Sequence, residues 1–195
     1  VMTSACMMMR DLLDLGLAPR RIAVNVSVVQ LQDPAFTDHV AQALTVSGLE
    51  GRHLELEITE SVAVLPTAYL ETTLAGLRAQ AIAIAIDDFG TGYSSLERLQ
   101  SFPVFKLKID MSFVRGMDTH AGNRAIVTAV IGMAKALKLE TVAEGVETAA
   151  QAALLTQLDC DEAQGYLYSK AIPAEALLRQ WLHSQPVQPA PPAAS

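Results

Sequence analysis

The chain has 195 residues, of which 51% are hydrophobic, and its formal net charge is −7. This length and composition fit one globular domain with a sizeable core. With 14 basic against 21 acidic residues there is no broad basic surface, which excludes duplex nucleic acid as a partner. Two cysteines are too few for a disulfide framework, and no apolar run approaches the roughly 18 residues of a membrane span. We therefore expect a cytoplasmic protein without a membrane segment in this chain.

Apolar, strand-like runs alternate with helix-like segments along the chain. We predict strands at residues 21–26, 53–59, 82–87, 105–110, 140–144 and 162–166. We predict helices at residues 3–15, 34–46, 67–80, 94–99, 122–137, 149–158 and 174–182. Such alternation is typical of parallel strands joined by crossover helices, and thus of an α/β fold.

The number of strand-helix units limits the possible architectures. A closed (β/α)8 TIM-type barrel needs eight units, whereas the chain offers about six. Either the sheet is open, or the barrel is incomplete here because its first two strands lie upstream of Val1. We assign residues 1–183 to the domain and residues 184–195 to a disordered tail, because the tail is rich in Pro and Ala and has no apolar period.

Acidic residues stand where several predicted strands end. Glu57 lies near the end of the second strand, Asp87 and Asp88 follow the apolar third strand, and Glu144 ends the fifth. Because the carboxyl ends of parallel strands meet at one edge of the sheet, these side chains are expected to converge. Concentrated negative charge is tolerated mainly when divalent cations neutralise it. The sequence therefore predicts a metal site.

Strand alternation adds further polar groups to the same region. The fourth strand places Lys108 and Asp110 on one face, and the second strand places Glu57 opposite an apolar face. Asn25 ends the first strand and Gln164 lies on the last. Every predicted strand thus offers a polar group at the end where barrels of this type perform chemistry.

The donor types suit hard divalent cations. Mg²⁺ or Mn²⁺ would find oxygen ligands at Asn25, Glu57 and Asp87. Asp88 and Glu144 would complete a second site. Two ions about 4 Å apart would stabilise both the attacking and the leaving oxygen of a displacement at phosphorus. The sequence disfavours zinc hydrolase chemistry, because no Cys or His cluster has zinc spacing.

Lys108 would orient the attacking water or neutralise charge that grows on the phosphorus centre. Each candidate alone also has a structural explanation: an interior ion pair for Glu57, a turn for Asp87 and Asp88, a surface position for Lys108, and a loop cap for Asn25. Their joint placement on successive strand ends favours a functional site.

Six ordered motifs carry a resemblance to a known family. They are Asn25-Val26-Ser27, Glu57-Ile58-Thr59-Glu60, the run from Asp87 to Leu96, Lys108-Ile109-Asp110, Glu144-Gly145-Val146-Glu147 and Gln164-Gly165-Tyr166. In this order they resemble the motifs of the EAL-domain family of cyclic di-GMP phosphodiesterases. The resemblance implies a modified (β/α)8 barrel that hydrolyses cyclic di-GMP to linear pGpG with two Mg²⁺ or Mn²⁺ ions.

The resemblance also implies roles for individual residues. It implies metal ligands at Asn25, Glu57, Asp87, Asp88 and Glu144. It implies catalytic contributions from Lys108, Glu144, Gln164 and Glu60, with Lys108 positioning the water and Glu60 anchoring the loop after Asp87 and Asp88. It implies substrate contacts at Asp110, Glu147, Gln164 and Tyr166.

One departure from the family pattern concerns the Glu-Ala-Leu signature that names the family. Its place is upstream of Val1, and no glutamate precedes Glu50. We therefore expect catalysis in a parent protein and impaired activity in this fragment. Met111 and Ala171 are smaller departures, at positions where a basic residue and a proline are common. The resemblance further implies a homodimer and upstream sensory or GGDEF-type domains in the parent.

Two other functions remain open at the level of sequence. The chain could be a non-catalytic cyclic di-GMP receptor or protein-interaction module, although such members usually lose metal ligands that this chain keeps. A barrel lyase or isomerase of the enolase type would use Lys108 as base and carboxylates on Mg²⁺. The adjacent Asp87 and Asp88 suit two ions better than one, which disfavours that alternative.

Overall fold

A computed structural model describes residues 1–64, 67–91 and 102–184. The predicted helix at 94–99, residues 92–96 of the third motif, and residues 185–195 of the predicted tail lie outside the described residues. Within the part of the chain that is described, no helix has both the length and the apolar character that crossing a bilayer requires.

Six parallel strands form one sheet in the order of the chain. They are β1 (Ile22–Val26), β2 (Leu54–Thr59), β3 (Ala83–Phe89), β4 (Lys106–Ile109), β5 (Glu140–Ala143) and β6 (Glu162–Ala163). The strands form a half-barrel, with β1 and β6 at its two edges. This confirms the predicted incomplete TIM-type α/β fold.

Eight α-helices are present among the described residues. They are α1 (Met2–Asp14), α2 (Val28–Leu31), α3 (Phe36–Ser47), α4 (Thr67–Ala79), α5 (Met111–Val114), α6 (Ala121–Ala136), α7 (Ala149–Gln157) and α8 (Ala174–Ser184), with 3₁₀ turns at Gly51–His53 and Glu60–Val64. The single-turn helices α2 and α5 were not predicted. Side-chain caps define them: Ser27 and Gln30 form a capping box, and the Asp110 carboxylate accepts a hydrogen bond from the Ser112 N–H.

The inner strands β2 to β5 are largely buried on both faces, as expected for a parallel sheet that helices cover. In β2, Leu54, Leu56 and Ile58 belong to the hydrophobic core shared with the helices. On the other face, Glu55 and Glu57 are also buried, with 3% and 9% of their surface exposed. The interior of the half-barrel is therefore polar, and its charges need partners.

The base of the half-barrel, where the strands begin, meets this need with ion pairs. Lys106 Nζ lies 3.0 Å from Glu55 and 2.9 Å from Glu162. Arg20 binds Glu140 and reaches Glu162 at 3.2 Å. These contacts join β2, β4, β5 and β6 at their starts. Glu55 and Lys106, which share strand faces with Glu57 and Lys108, therefore serve the structure of the barrel base.

Candidate active site

The carboxyl ends of the strands hold a cluster of three carboxylates around one lysine. Lys108 Nζ, on β4, lies 3.0 Å from Glu57 on β2 and 2.9 Å from Asp87 on β3. It lies 2.8 Å from Glu144, which directly follows β5. The four side chains are between 5% and 14% exposed. The structure thus brings together residues that the sequence placed on separate strand ends, while their roles stay predictions.

Burial and mutual repulsion act on the protonation of this cluster. Burial raises the pKa of Glu57 and of Glu144; Lys108 opposes that rise, and Asp87 adds to it by repulsion. Burial alone would lower the pKa of Lys108, but its hydrogen bond to Glu144 and the charge of Glu57 raise the pKa above its ordinary value. Lys108 therefore stays protonated, and its single charge does not fully compensate three carboxylates.

Asp87, Asp88 and Glu144 fit a divalent cation. One carboxylate oxygen from each lies within 4.8 Å of the others. Burial, followed by the charges of Asp87 and Asp110, raises the pKa of Asp88. A hard divalent cation would stabilise the charged forms of Asp88 and Glu144, whose pKa is raised.

The end of β3 is irregular, and this irregularity places the adjacent aspartates. The register with β4 shifts between Ile86 and Phe89, and Asp88 has a positive φ of 55°. The backbone N–H of Asp88 donates to the Asp87 carboxylate at 3.0 Å. A regular strand would point Asp87 and Asp88 to opposite faces, whereas this bulge brings both carboxylates to Glu144.

Asn25 lies beside the cluster on the edge strand. It pairs in register with Glu57, so the two side chains share a face of the sheet. Asn25 is exposed on this edge. It is therefore placed next to the carboxylates but is not among the contacts of Lys108.

Gln164 extends the cluster toward a neighbouring pocket. Its amide Nε2 donates to Glu144 at 3.0 Å. The pocket, of about 450 Å³, is also lined by Glu147, Tyr166, Arg115 and Lys170. The predicted substrate contacts Glu147, Gln164 and Tyr166 thus share one cavity. Asp110 caps α5 and is close enough to Asp88 to affect its pKa.

Two cations in this pocket were missed by the sequence analysis. Arg115 NH2 lies 3.3 Å from Glu147, and Lys170 Nζ lies 5.5 Å from the centre of the Tyr166 ring. Their spacing was the available signal, because each lies four residues after a residue that the sequence analysis had singled out. Arg115 follows Met111, and Lys170 follows Tyr166. Both cations line the pocket, Arg115 as the partner of Glu147 and Lys170 without a carboxylate partner among the described residues.

Glycine at position 145 allows the pocket wall to approach α5. Gly145 has a φ of +66°, and a Cβ there would lie 2.6 Å from the Cβ of Met111. Neither the backbone conformation nor the space suits another residue. The Glu144-Gly145 pair therefore positions Glu144 at the cluster while α5 packs closely behind it.

Glu60 contacts the backbone at the start of the loop that follows the two aspartates. Its Oε2 accepts a hydrogen bond from the Gly90 N–H at 2.9 Å. Glu60 is 7% exposed. The contact ties the turn after β2 to the end of β3, next to Asp87 and Asp88.

Comparisons with known proteins give a consistent family assignment. The sequence model of the EAL domain matches residues 1–171. The bifunctional diguanylate cyclase/cyclic di-GMP phosphodiesterase MucR of Pseudomonas aeruginosa is 44% identical over 178 residues, which are 91% of this chain and 26% of MucR. The chain thus spans about a quarter of the length of this curated relative.

Solved structures extend the likeness to the fold. The phosphodiesterase of MucR, in complex with c-di-GMP, superimposes with a TM-score of 0.86 at 43% identity, covering 90% of this chain and 71% of that one. The EAL domain of Mycobacterium smegmatis DcpA gives a TM-score of 0.88 at 41% identity, covering 94% and 82%. A manganese/cy-diGMP complex of Klebsiella pneumoniae BlrP1 gives 0.75 at 30% identity, covering 84% and 42%.

Proposed function

We propose that this chain, which belongs to the EAL domain family, acts in the metal-dependent hydrolysis of cyclic di-GMP to linear pGpG in the protein that carries it. The observation that carries the proposal is the convergence of Glu57, Asp87 and Glu144 on Lys108, with Asp88 beside them. The complexes of MucR and BlrP1 with the dinucleotide support the choice of substrate.

Mg²⁺ or Mn²⁺ ions, two in number, are the proposed cofactors. Asn25, Glu57 and Asp87 would hold one ion, and Asp88 with Glu144 would hold the other. When bound, the ions would supply charge stabilisation at the reacting phosphate and activation of water. The manganese in the BlrP1 complex supports this choice, and the crowded carboxylate oxygens of this chain fit it.

Lys108 and Gln164 are the proposed positioning groups for the attacking water. The Lys108 ammonium has three donors, which Glu57, Asp87 and Glu144 hold in a fixed direction. Its charge would stabilise the negative charge that develops on the phosphate oxygens in the transition state. Gln164 would fix Glu144 through the 3.0 Å hydrogen bond between them.

The pocket beside the cluster is the proposed site of one nucleotide of the substrate. Arg115 and Lys170 would meet a phosphate, and Tyr166, which is 66% exposed, offers a ring face to a base. Glu147 would accept hydrogen bonds from a guanine edge. Asp110 would act indirectly, through its proximity to Asp88.

Glu60 is the proposed link between the site and its regulation. Its hydrogen bond to the Gly90 N–H holds the end of β3, so a movement of the following loop would be transmitted to Asp87 and Asp88. We also propose that the protein works as a homodimer with further signalling domains; the bifunctional name of MucR supports additional domains.

Product analysis tests the proposed function. We expect the protein that carries this chain to convert cyclic di-GMP to pGpG in Mg²⁺ or Mn²⁺, and EDTA to abolish the conversion. Chromatography of the nucleotides with a calorimetric binding measurement gives both readouts. Tight binding of cyclic di-GMP without formation of pGpG in either metal would contradict the enzymatic function and favour a non-catalytic receptor. Turnover that persists in EDTA would contradict the proposed cofactors.

Manganese is expected to raise the melting temperature of the 195-residue chain more at pH 8 than at pH 5. The pKa of Glu57 and of Glu144 is raised above the ordinary 4.5, so these groups lower stability as pH rises from that value through the raised pKa. At pH 8 protons compete less with the ion for the carboxylate oxygens than at pH 5. A free manganese concentration of about 100 times Kd would add ~2.7 kcal/mol to the free energy of unfolding.

Differential scanning fluorimetry at both pH values measures this shift. Asp87→Asn should remove most of it, because it removes a ligand charge. Asp159→Asn is the matched control, since Asp159 is exposed and pairs with Lys135 away from the cluster. Equal shifts at the two pH values, or an undiminished shift in Asp87→Asn, would contradict binding at this cluster.

A further inference from the structure

A second charged pocket lies at the opposite end of the strands from the carboxylate cluster. It has a volume of about 280 Å³ and is formed by the starts of β3 and β4, together with the chain segments that precede them. Three basic side chains line it: Arg21 before β1, Arg78 near the end of α4, and Lys138 after α6. No acidic residue is among its lining residues.

These three cations differ from most others in the chain because they have no carboxylate partner among the described residues. Ion pairs neutralise Arg10, Arg20, Arg52, Lys106, Lys108, Arg115 and Lys135. The chain has a net charge of −7. If its acidic side chains were distributed at random, at least one of them would be expected to pair with these three cations. The pocket is a local positive site on an acidic protein.

Arg21 is the fixed member of the group. Its guanidinium carbon lies 4.4 Å from the centre of the Phe105 ring, which orients it by cation–π stacking. Its Nε and NH1 groups are buried and have no hydrogen-bond partner in the described part of the chain. Buried N–H groups without a hydrogen-bond partner are costly, and an anion in the adjoining pocket would accept hydrogen bonds from them.

The acidic residue nearest in sequence to these cations does not pair with any of them. Glu140 follows Lys138 by two residues, but it pairs with Arg20 inside the half-barrel. Arg78 and Lys138 are exposed, so their long side chains can adjust to a bound group. The pocket thus combines one oriented guanidinium with two adaptable cations.

We propose that this basal pocket binds a phosphate-bearing anion, either a phosphate monoester or a pyrophosphate group. A charge of −2 or more would be matched by three cations, and the forked guanidinium of Arg21 suits phosphate oxygens. The volume of about 280 Å³ accommodates a small phosphate compound rather than a whole dinucleotide. Binding here needs no metal and does not involve the carboxylate cluster.

An NMR titration of the 195-residue chain with pyrophosphate in EDTA tests the proposal. We expect saturable shifts of the amide signals of Ala81, Ile82 and Lys138. Arg78→Gln/Lys138→Gln should weaken binding about tenfold, as the loss of two partly exposed charge contacts predicts. Arg10→Gln/Lys135→Gln removes the same charge from elsewhere on the surface and should change affinity less than about twofold.

Several outcomes would overturn the proposal. These are the absence of saturable binding, an equal loss of affinity in the control, or shifts that centre on Lys108 and Glu144. Melting curves establish that each variant is folded. Saturable binding of either inorganic phosphate or adenosine monophosphate supports the pocket, and the ratio of their affinities separates a free-phosphate site from a nucleotide site.

Discussion

In the protein that carries this chain, Asp87→Asn is expected to lower the turnover of cyclic di-GMP by about three orders of magnitude, with little change in the fold. The substitution keeps the shape of the side chain but removes a charge 2.9 Å from Lys108 and within the group of oxygens that fit a cation. Loss of one electrostatic contributor to a transition state typically costs about 10²–10³ in kcat, and a weakened metal site adds to this.

Glu57→Gln provides an independent test of the same arrangement. It alters a different strand, and it should reduce turnover to a similar extent because Glu57 contacts the same lysine. Asp159→Asn, at an exposed ion pair with Lys135, should keep turnover within about twofold of the unsubstituted protein. Steady-state kinetics over a range of manganese concentrations measure all three. Near-full turnover by either cluster variant at saturating manganese would refute the assigned roles.

The convergence of the site was predictable because two simple rules combine. Parallel strands bring their carboxyl ends to one edge, and alternation places Glu57 and Lys108 on the interior face. Both rules act on strand residues alone, so an approximate strand assignment is sufficient. The positions of Asp87 and Glu144 followed in the same way.

The sequence did not distinguish the two layers of the barrel interior. Glu55 and Glu57 share a face of β2, and Lys106 and Lys108 share a face of β4. In the structure the first member of each pair belongs to the ion pairs of the barrel base and the second to the candidate site. Alternation repeats every two residues, so it cannot separate layers that lie two residues apart.

Local backbone and side-chain contacts explain the other differences. The predicted sixth strand continues to residue 166, but β6 ends at Ala163, and Gly165 with a φ of 155° lies against the backbone of Val146. The short helix α5 depends on the cap that Asp110 provides. Such features depend on one or two hydrogen bonds or close contacts, which hydrophobic periodicity does not record.

Lys108→Met is expected to destabilise the metal-free chain by about 3–5 kcal/mol, because it leaves the carboxylates of Glu57, Asp87 and Glu144 without their cation. The raised pKa of Glu57 and Glu144 should rise further, so the variant should regain stability as pH falls. Manganese should also restore stability, since a divalent ion can replace the lost charge. Turnover should stay low, because the ion does not reproduce the oriented ammonium.

Lys106→Met is the matched control, since it changes the same residue type on the same face of β4. It should also destabilise the chain, because Glu55 and Glu162 lose their partner. Manganese should stabilise this variant only as much as it stabilises the unsubstituted chain, because Glu55 and Glu162 lie in the basal layer, away from Asp87 and Asp88. Chemical denaturation with and without manganese separates the two variants. Equal rescue of both, or an unchanged stability of metal-free Lys108→Met, would mean that Lys108 does not neutralise the cluster.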